Sequence, residues 1–199
     1  MDVNELRAED KLKLSRTGKK YFNLIEFDNE ERLICEIRKH PIGQFFIYLT
    51  GCVIAFAVSV VLGFVGFSGT LEDSGIASSS LGSVVTVIGF VFVLLIIGAM
   101  LIQAILYTNN VIYVTSEKIA QILYINLFNR KISQLSIGDV QDVTVTQKGV
   151  LAHLFNYGTL VIETAGEQQN YLFTYIPDPY KHSKLIVGAH EKNLVQYGN

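Results

Sequence analysis

The segments Phe45–Phe67, FFIYLTGCVIAFAVSVVLGFVGF, and Leu81–Leu106, LGSVVTVIGFVFVLLIIGAMLIQAIL, decide how the rest of the chain is read. No residue between His40 and Glu72, or between Asp73 and Glu117, is formally charged. A helix needs roughly 20 predominantly apolar residues to cross a hydrocarbon core about 30 Å thick, and both segments reach that length. A buried helix of a soluble domain rarely stays uncharged for so long. Residues 45–107 therefore read as a transmembrane hairpin, with spans at about 45–67 and 81–106 and an outside loop at 68–80.

The cations orient it. Nine of the 16 Lys and Arg residues precede the hairpin, the other seven follow it, and the connecting loop has none. Lys/Arg asymmetry is the appropriate test for short loops, and it puts both termini in the cytoplasm. No Asp, Glu, His, Lys or Arg lies within either span. Ion paths and proton relays place such groups in the bilayer interior, so two charge-free helices read as an anchor and not a pathway. Along the first span, Gly51, Ala55, Ser59 and Gly63 recur every four residues and so share one helix face. A stripe of small residues admits another backbone, either the second span or a second copy of the chain in a homo-oligomer.

Upstream, residues 1–20 mix charges of both signs with few large aliphatics and read as a flexible cytoplasmic tail. About 40 polar-rich residues precede the first apolar run, so a cleaved secretory signal is not expected. Residues 21–44 form a juxtamembrane segment, a short strand or helix ending at Arg38, Lys39 and His40. These three are candidate membrane-interface anchors, because long cationic side chains reach out to lipid phosphates. Pro41 suits the first turn of the helix that follows.

Downstream, residues 108–199 change period. Short runs rich in β-branched and aromatic residues at about 111–115, 118–125, 130–136, 140–145, 159–164 and 170–176 are separated by turn residues, which is strand grammar. After Pro177-Asp178-Pro179, Ile186, Ala189, Leu194 and Tyr197 fall near one face at helical spacing. Six strands and a closing helix predict a small antiparallel barrel or sandwich with a helical plug. In its loops, Phe128, Leu154, Phe155 and Tyr157 are candidate partner-binding residues. They either cap the open end of the barrel or form a patch that binds a partner or dips into the membrane.

Enzyme chemistry has little to stand on. His40, His153, His182 and His190 have no metal-ligand spacing, and no Gly-rich phosphate loop, GxSxG elbow or Cys-His pair appears. Asp139 and Asp142 would face opposite sides of a strand. Cys35 and Cys52 read as small apolar filler. No catalytic, cofactor or metal site is expected, and a net charge of −2 without a basic patch argues against nucleic acid.

Several blocks in order resemble the bacterial pleckstrin-homology-like (PH-like) domain family of two-helix membrane proteins. They are Glu36-Ile37-Arg38-Lys39-His40-Pro41 ahead of the hairpin, Val114-Thr115 with Lys118-Ile119, Ile137-Gly138-Asp139-Val140-Gln141-Asp142-Val143, Leu154 through Gly166, and Ile176-Pro177-Asp178-Pro179 before the last helix. The resemblance spans roughly residues 31–190. It implies an α+β membrane protein in which a two-helix hairpin is followed by a PH-like sandwich of two near-orthogonal sheets, nominally seven strands, capped by a C-terminal helix. Only six strands are visible in the pattern, and the seventh is sought within 147–152. The resemblance also implies an interaction or scaffolding module of the inner membrane with an unidentified protein or peptide partner. Eukaryotic relatives bind phosphoinositides with basic residues between their first two strands. That loop reads here as Ser116-Glu117 with Lys118 alone beside it, which argues against inositol-lipid binding. The expectation is a non-enzymatic membrane adaptor, with an accessory subunit of a transport or export complex as the alternative.

Overall fold

The computed structural model describes residues 9–25, 27, 31–67, 79–164 and 171–197. Most of the polar insert at 68–80, the first eight residues of the tail and residues 165–170 lie outside them. The chain divides into two compact units, one formed by residues 1–43 and 106–199, the other by residues 44–105.

The first unit is a β-sandwich. Its elements are helix α1 (Arg16–Phe22), strand β1 (Leu33–Arg38), then, beyond the second unit, β2 (Val111–Thr115), β3 (Lys118–Tyr124), β4 (Arg130–Ser136), β5 (Val140–Thr146), a short helix α4 (Val150–Leu154), β6 (Tyr157–Thr164), β7 (Tyr171–Pro177) and α5 (Pro179–Tyr197). The second unit holds the two apolar helices, α2 (Pro41–Phe67) and α3 (Ser79–Thr108), apart from their domain-side ends. One antiparallel sheet has the order β1-β2-β3-β4, the other β5-β6-β7.

The seventh strand is β1. It pairs with β2 from Leu33↔Thr115 to Arg38↔Val111, across the whole of both apolar helices. Residues 147–152, where the pattern suggested it, instead contain Gly149 at φ 90° and the start of α4. The boundary at 108 thus leaves out the first strand of the domain, which lies within the 21–44 segment, and residues 41–44 of that segment already belong to α2. The helix pair is an insertion between two paired strands, so the order "hairpin, then domain" is replaced by a domain that the helices interrupt. It follows that Ser116-Glu117 joins the second and third strands; the first two are joined by residues 39–110.

Burial follows from this layout. Ile37, Ile112, Val114 and Ile119 from the first sheet meet Leu160, Ile162, Phe173 and Ile176 from the second, and α5 closes the core with Ile186 and Ala189. The opposite face of the first sheet is apolar too: Val111, Tyr113, Ala120 and Ile122 are covered by Leu14, Tyr21, Phe22 and Ile25. That explains why β2, VIYVT, is buried at every position instead of alternating.

The flexible-tail reading of residues 1–20 is therefore corrected for the described part. Leu14 sits where it covers a sheet face, and several polar groups of the described segment have fixed partners. Ser15 caps α1 by accepting from Gly18 N at 3.0 Å. Glu36 on β1 accepts from Ser15 N at 2.7 Å and from Ser15 Oγ at 2.5 Å. The buried Tyr113 hydroxyl donates to Gly18 O at 2.6 Å, and buried Asp10 accepts from Leu33 N at 3.1 Å.

Within the second unit, α2 and α3 run 27 and 30 residues. A side chain on Gly51 would overlap Met100, and one on Gly89 would overlap Leu62. The two contacts pair an early residue of one helix with a late residue of the other, so the helices meet antiparallel. Residues 41–64 and 84–108 are long and apolar enough to cross a membrane.

Candidate functional site

Three of the sequence blocks singled out above meet at one end of the sandwich, the end where the chain leaves toward α2 and returns from α3. His40 follows β1, and its N–H donates to Tyr175 O at 2.6 Å, tying β1 to the end of β7. The His40 ring lies 5.4 Å from the Tyr157 ring, Tyr157 stacks on Tyr175 at 5.7 Å, and Tyr107 meets Tyr175 edge-on at 6.2 Å. The Tyr107 hydroxyl donates to His40 O at 2.8 Å. Gly43 is small by necessity, because a side chain there would overlap Tyr107. The connection after β1 and the end of α3 are thus bonded to each other, and His40 is bonded to β7 and in ring contact with β6.

The backbone is unusual at this end. Asn156, Tyr175 and Asp178 all adopt positive φ (49°, 55° and 43°), a region that favours glycine. Asn156 and Asp178 hold one another there: Asp178 N donates to Asn156 O at 3.0 Å, and the Asn156 amide donates to the Asp178 carboxylate. Gln147 adds a bond to Asn156 at 3.2 Å and one to Tyr157 O at 3.1 Å. Gly158 is required by close approach, since a Cβ would sit 2.8 Å from Thr146 O. The Asn156-Tyr157-Gly158 and Pro177-Asp178-Pro179 blocks are therefore two halves of one locked corner.

The electrostatics keep the corner neutral at His40. Its Nδ1 accepts from Ile42 N at 3.1 Å. Burial lowers its pKa below the ordinary value, opposed by nearby Asp178 and by a hydrogen bond to the backbone of Phe155. Lys39 is also shifted down by burial; its ammonium lies 5.2 Å from the Tyr107 ring centre and 3.5 Å from Thr174 Oγ1. Of the three anticipated interface anchors, Arg38 is exposed, whereas Lys39 and His40 pack within the domain.

A cavity of about 230 Å³ opens beside Lys39, lined by Ile37, Ile112, Ile122, Phe173 and Ile176 among others. Its lining has no carboxylate, histidine or thiol. Elsewhere the fold brings Cys35 to 3.9 Å from His182 Nδ1, a Cys–His proximity that the sequence spacing concealed. The thiol does not become a nucleophile by it, since burial pushes its pKa up to about 11. The His182 pKa is lowered, chiefly by burial. Among the described residues, no cluster of three or more His, Cys, Asp or Glu side chains could hold a metal. Lys118, the lone cation next to Ser116-Glu117, is committed to the buried Glu31 carboxylate at 3.1 Å.

The four aromatic and aliphatic candidates separate. Tyr157 belongs to the corner. Phe128 is 98% exposed in the β3–β4 turn, Leu154 is 71% exposed on α4, and Phe155 is 46% exposed, so these three do not cap the core. The small-residue stripe separates as well. Gly51 faces Met100, but Gly63 has nothing within 4 Å, and Ser59 is exposed with its hydroxyl donating to Ala55 O at 2.8 Å.

A family model described as bacterial PH domain matches residues 44–182. That is most of the chain, and the match takes in both apolar helices as well as β2 to β7. The chain belongs to the bacterial PH domain family. No curated protein and no solved structure matches it significantly.

Proposed function

We propose that this protein is a membrane-anchored, non-enzymatic adaptor of the bacterial inner membrane: α2 and α3 form a transmembrane hairpin that presents the PH-like domain, with both termini, at the cytoplasmic face. The observation that carries the reading is the pairing of β1 with β2 across the helices. The strand pair of the domain is interrupted by the two apolar helices, with only two residues between β1 and α2 and two between α3 and β2. On this reading, anchoring at the bilayer raises the effective concentration for partners at the same surface. The recognition surface on this reading is the open side of β4, which among the described residues pairs only with β3. An extended peptide adds to such an edge by main-chain hydrogen bonds.

A second reading, an accessory subunit of a transport or export complex, is favoured by the outward-facing Ser59 and Gly63 on α2, which leave room for a foreign helix. A photo-crosslinking side chain at Gln134 on β4, and another at Ser59, in the full chain in native membranes, separate the two. A discrete partner captured from Gln134 supports the adaptor. Capture from Ser59 alone overturns it in favour of the subunit.

A further inference from the structure

The antiparallel registers sort the described connections between strands to one of two ends. Arg38 pairs with Val111 and Val111 with Ile122, so the end of β3 lies where β1 leaves and β2 returns. Tyr124 N confirms the placement by donating to Asn110 Oδ1 at 2.7 Å. The β3–β4 turn, 125–129, is therefore at the end that carries the two helix connections. The β5–β6 connection is there too, because Thr146 pairs with Thr159, Tyr157 pairs with Pro177, and Tyr175 O accepts from His40 N. The C-terminal part of α5 is at the opposite end, where His190 bonds Ile137 O and Asn193 donates to Ser116 O.

Both connections at the helix end present apolar side chains to the outside. Ile125, Leu127 and Phe128 are 56, 50 and 98% exposed, and Val150 and Leu154 are 82 and 71% exposed. They come from different sheets, so no single core defect explains them. Exposed cations flank each tip, Arg130 and Lys131 after the first and Lys148 before the second. An apolar tip bordered by Lys and Arg is the composition of a segment that enters the headgroup region of an anionic bilayer.

We infer that the β3–β4 turn and α4 are two lipid-inserting tips, which enter the cytoplasmic leaflet and fix this end of the domain against the bilayer. The inference rests on the transmembrane reading of α2 and α3. It adds that the domain touches lipid by itself, through Phe128 and Leu154 in particular, and that anionic phospholipid is the ligand of this end.

The chain contains no tryptophan, so each position can carry a unique fluorophore. Full-length Phe128→Trp, Leu154→Trp, Phe90→Trp and Val195→Trp are reconstituted in vesicles of phosphatidylethanolamine and phosphatidylglycerol, with and without phosphatidylglycerol brominated close to the headgroup. Phe90 lies within α3, and Val195, 88% exposed, is near the end of α5 away from the helix connections. Lipids brominated near the chain end serve as the probe for Phe90→Trp. The expected result is quenching of Phe128→Trp and Leu154→Trp by headgroup-proximal bromine several-fold above that of Val195→Trp. If Phe90→Trp is quenched by the deep probe while both tip variants match Val195→Trp, the hairpin stands and the tips are overturned. If Phe90→Trp is not quenched, the transmembrane reading fails and the inference falls with it.

Discussion

Replacing Gly18 by alanine tests how the N-terminal segment is held to the sheet. Gly18 is the third residue of α1, with ordinary helical backbone, so alanine on its own favours the helix by up to about 1 kcal/mol. In place, however, the new Cβ falls 2.6 Å from Glu36 Oε2, 2.7 Å from Cδ and 2.8 Å from Oε1. The carboxylate is the free end of a side chain and can move, but only by leaving Ser15 N and Ser15 Oγ. Hydrogen bonds to a charged group are worth about 1.5–3 kcal/mol each, and partial rehydration of the released carboxylate returns part of that. Set against the helix gain, Gly18→Ala is expected to destabilise the domain by about 2 kcal/mol. In a urea titration of the full chain in detergent micelles, followed by tyrosine fluorescence, this moves the midpoint down by about 1 M for a typical slope. The deciding measurement is the same substitution in a Glu36→Ala background. There the clash is gone, only the helix gain remains, and the midpoint should stay level or rise. An equal loss in both backgrounds would refute the Glu36 latch.

Three further outcomes follow from other parts of the fold. Lys118→Met removes the ammonium from the buried Glu31 carboxylate, with Thr115 Oγ1 still donating to it at 2.5 Å, and should cost about 3 kcal/mol by the same titration; a loss under about 1 kcal/mol would mean that the pair is solvated. Gly158→Ala drives a methyl toward Thr146 O and Pro179, so β5 must shift, with an expected loss of about 1–3 kcal/mol and faster proteolysis between β5 and β6. His40 and His182 both have pKa values lowered by burial, so the unfolded chain takes up protons first as pH falls. Stability is then complete above the ordinary histidine pKa of about 6.5 and declines as pH drops from there toward the lowered folded values. The midpoint should be lower at about pH 5.5 than at about pH 7.5, with a smaller difference in His40→Gln; an unchanged difference would exclude His40 as a contributor.

Local pattern made much of this chain legible, and distant pairing hid the rest. The two apolar helices, strands β3 to β7 and α5 announce themselves by composition and period within their own residues. β1 does not, because what makes Leu33–Arg38 a strand is Val111–Thr115, and the apolar helices lie between them. α1 was hidden for a related reason: Leu14, Tyr21, Phe22 and Ile25 are too sparse to stabilise a segment alone, and they are buried only because β2 and β3 offer a second apolar face. The one hint was β2 itself, whose unbroken VIYVT signals cover on both sides. At the candidate site, the blocks around His40, Asn156-Tyr157-Gly158 and Pro177-Asp178-Pro179 stood out in sequence, but their convergence follows from strand register and could not be read from spacing.

The strand pairing also bears on how many spans the proposed membrane reading allows. β1 and β2 lie side by side in one sheet, so the chain must leave for the bilayer and return on the same face. An even number of crossings meets that condition and an odd number does not; α2 and α3 supply two helices of sufficient length. The Lys/Arg distribution, counted without reference to any sheet, is in keeping with that proposed topology. The order of assembly follows. In an unanchored chain, β1 would meet β2 only after closing a loop of 72 residues, Lys39 to Asn110, whose entropy must be overcome before any strand bond forms. Insertion of an antiparallel helix pair first, with Gly51 against Met100 and Gly89 against Leu62, would bring the two connections together at the membrane surface and remove most of that cost. On this reading the helices both anchor the domain and template its first strand pair, and a change that splays them, such as Gly51→Leu, should slow folding of the sandwich.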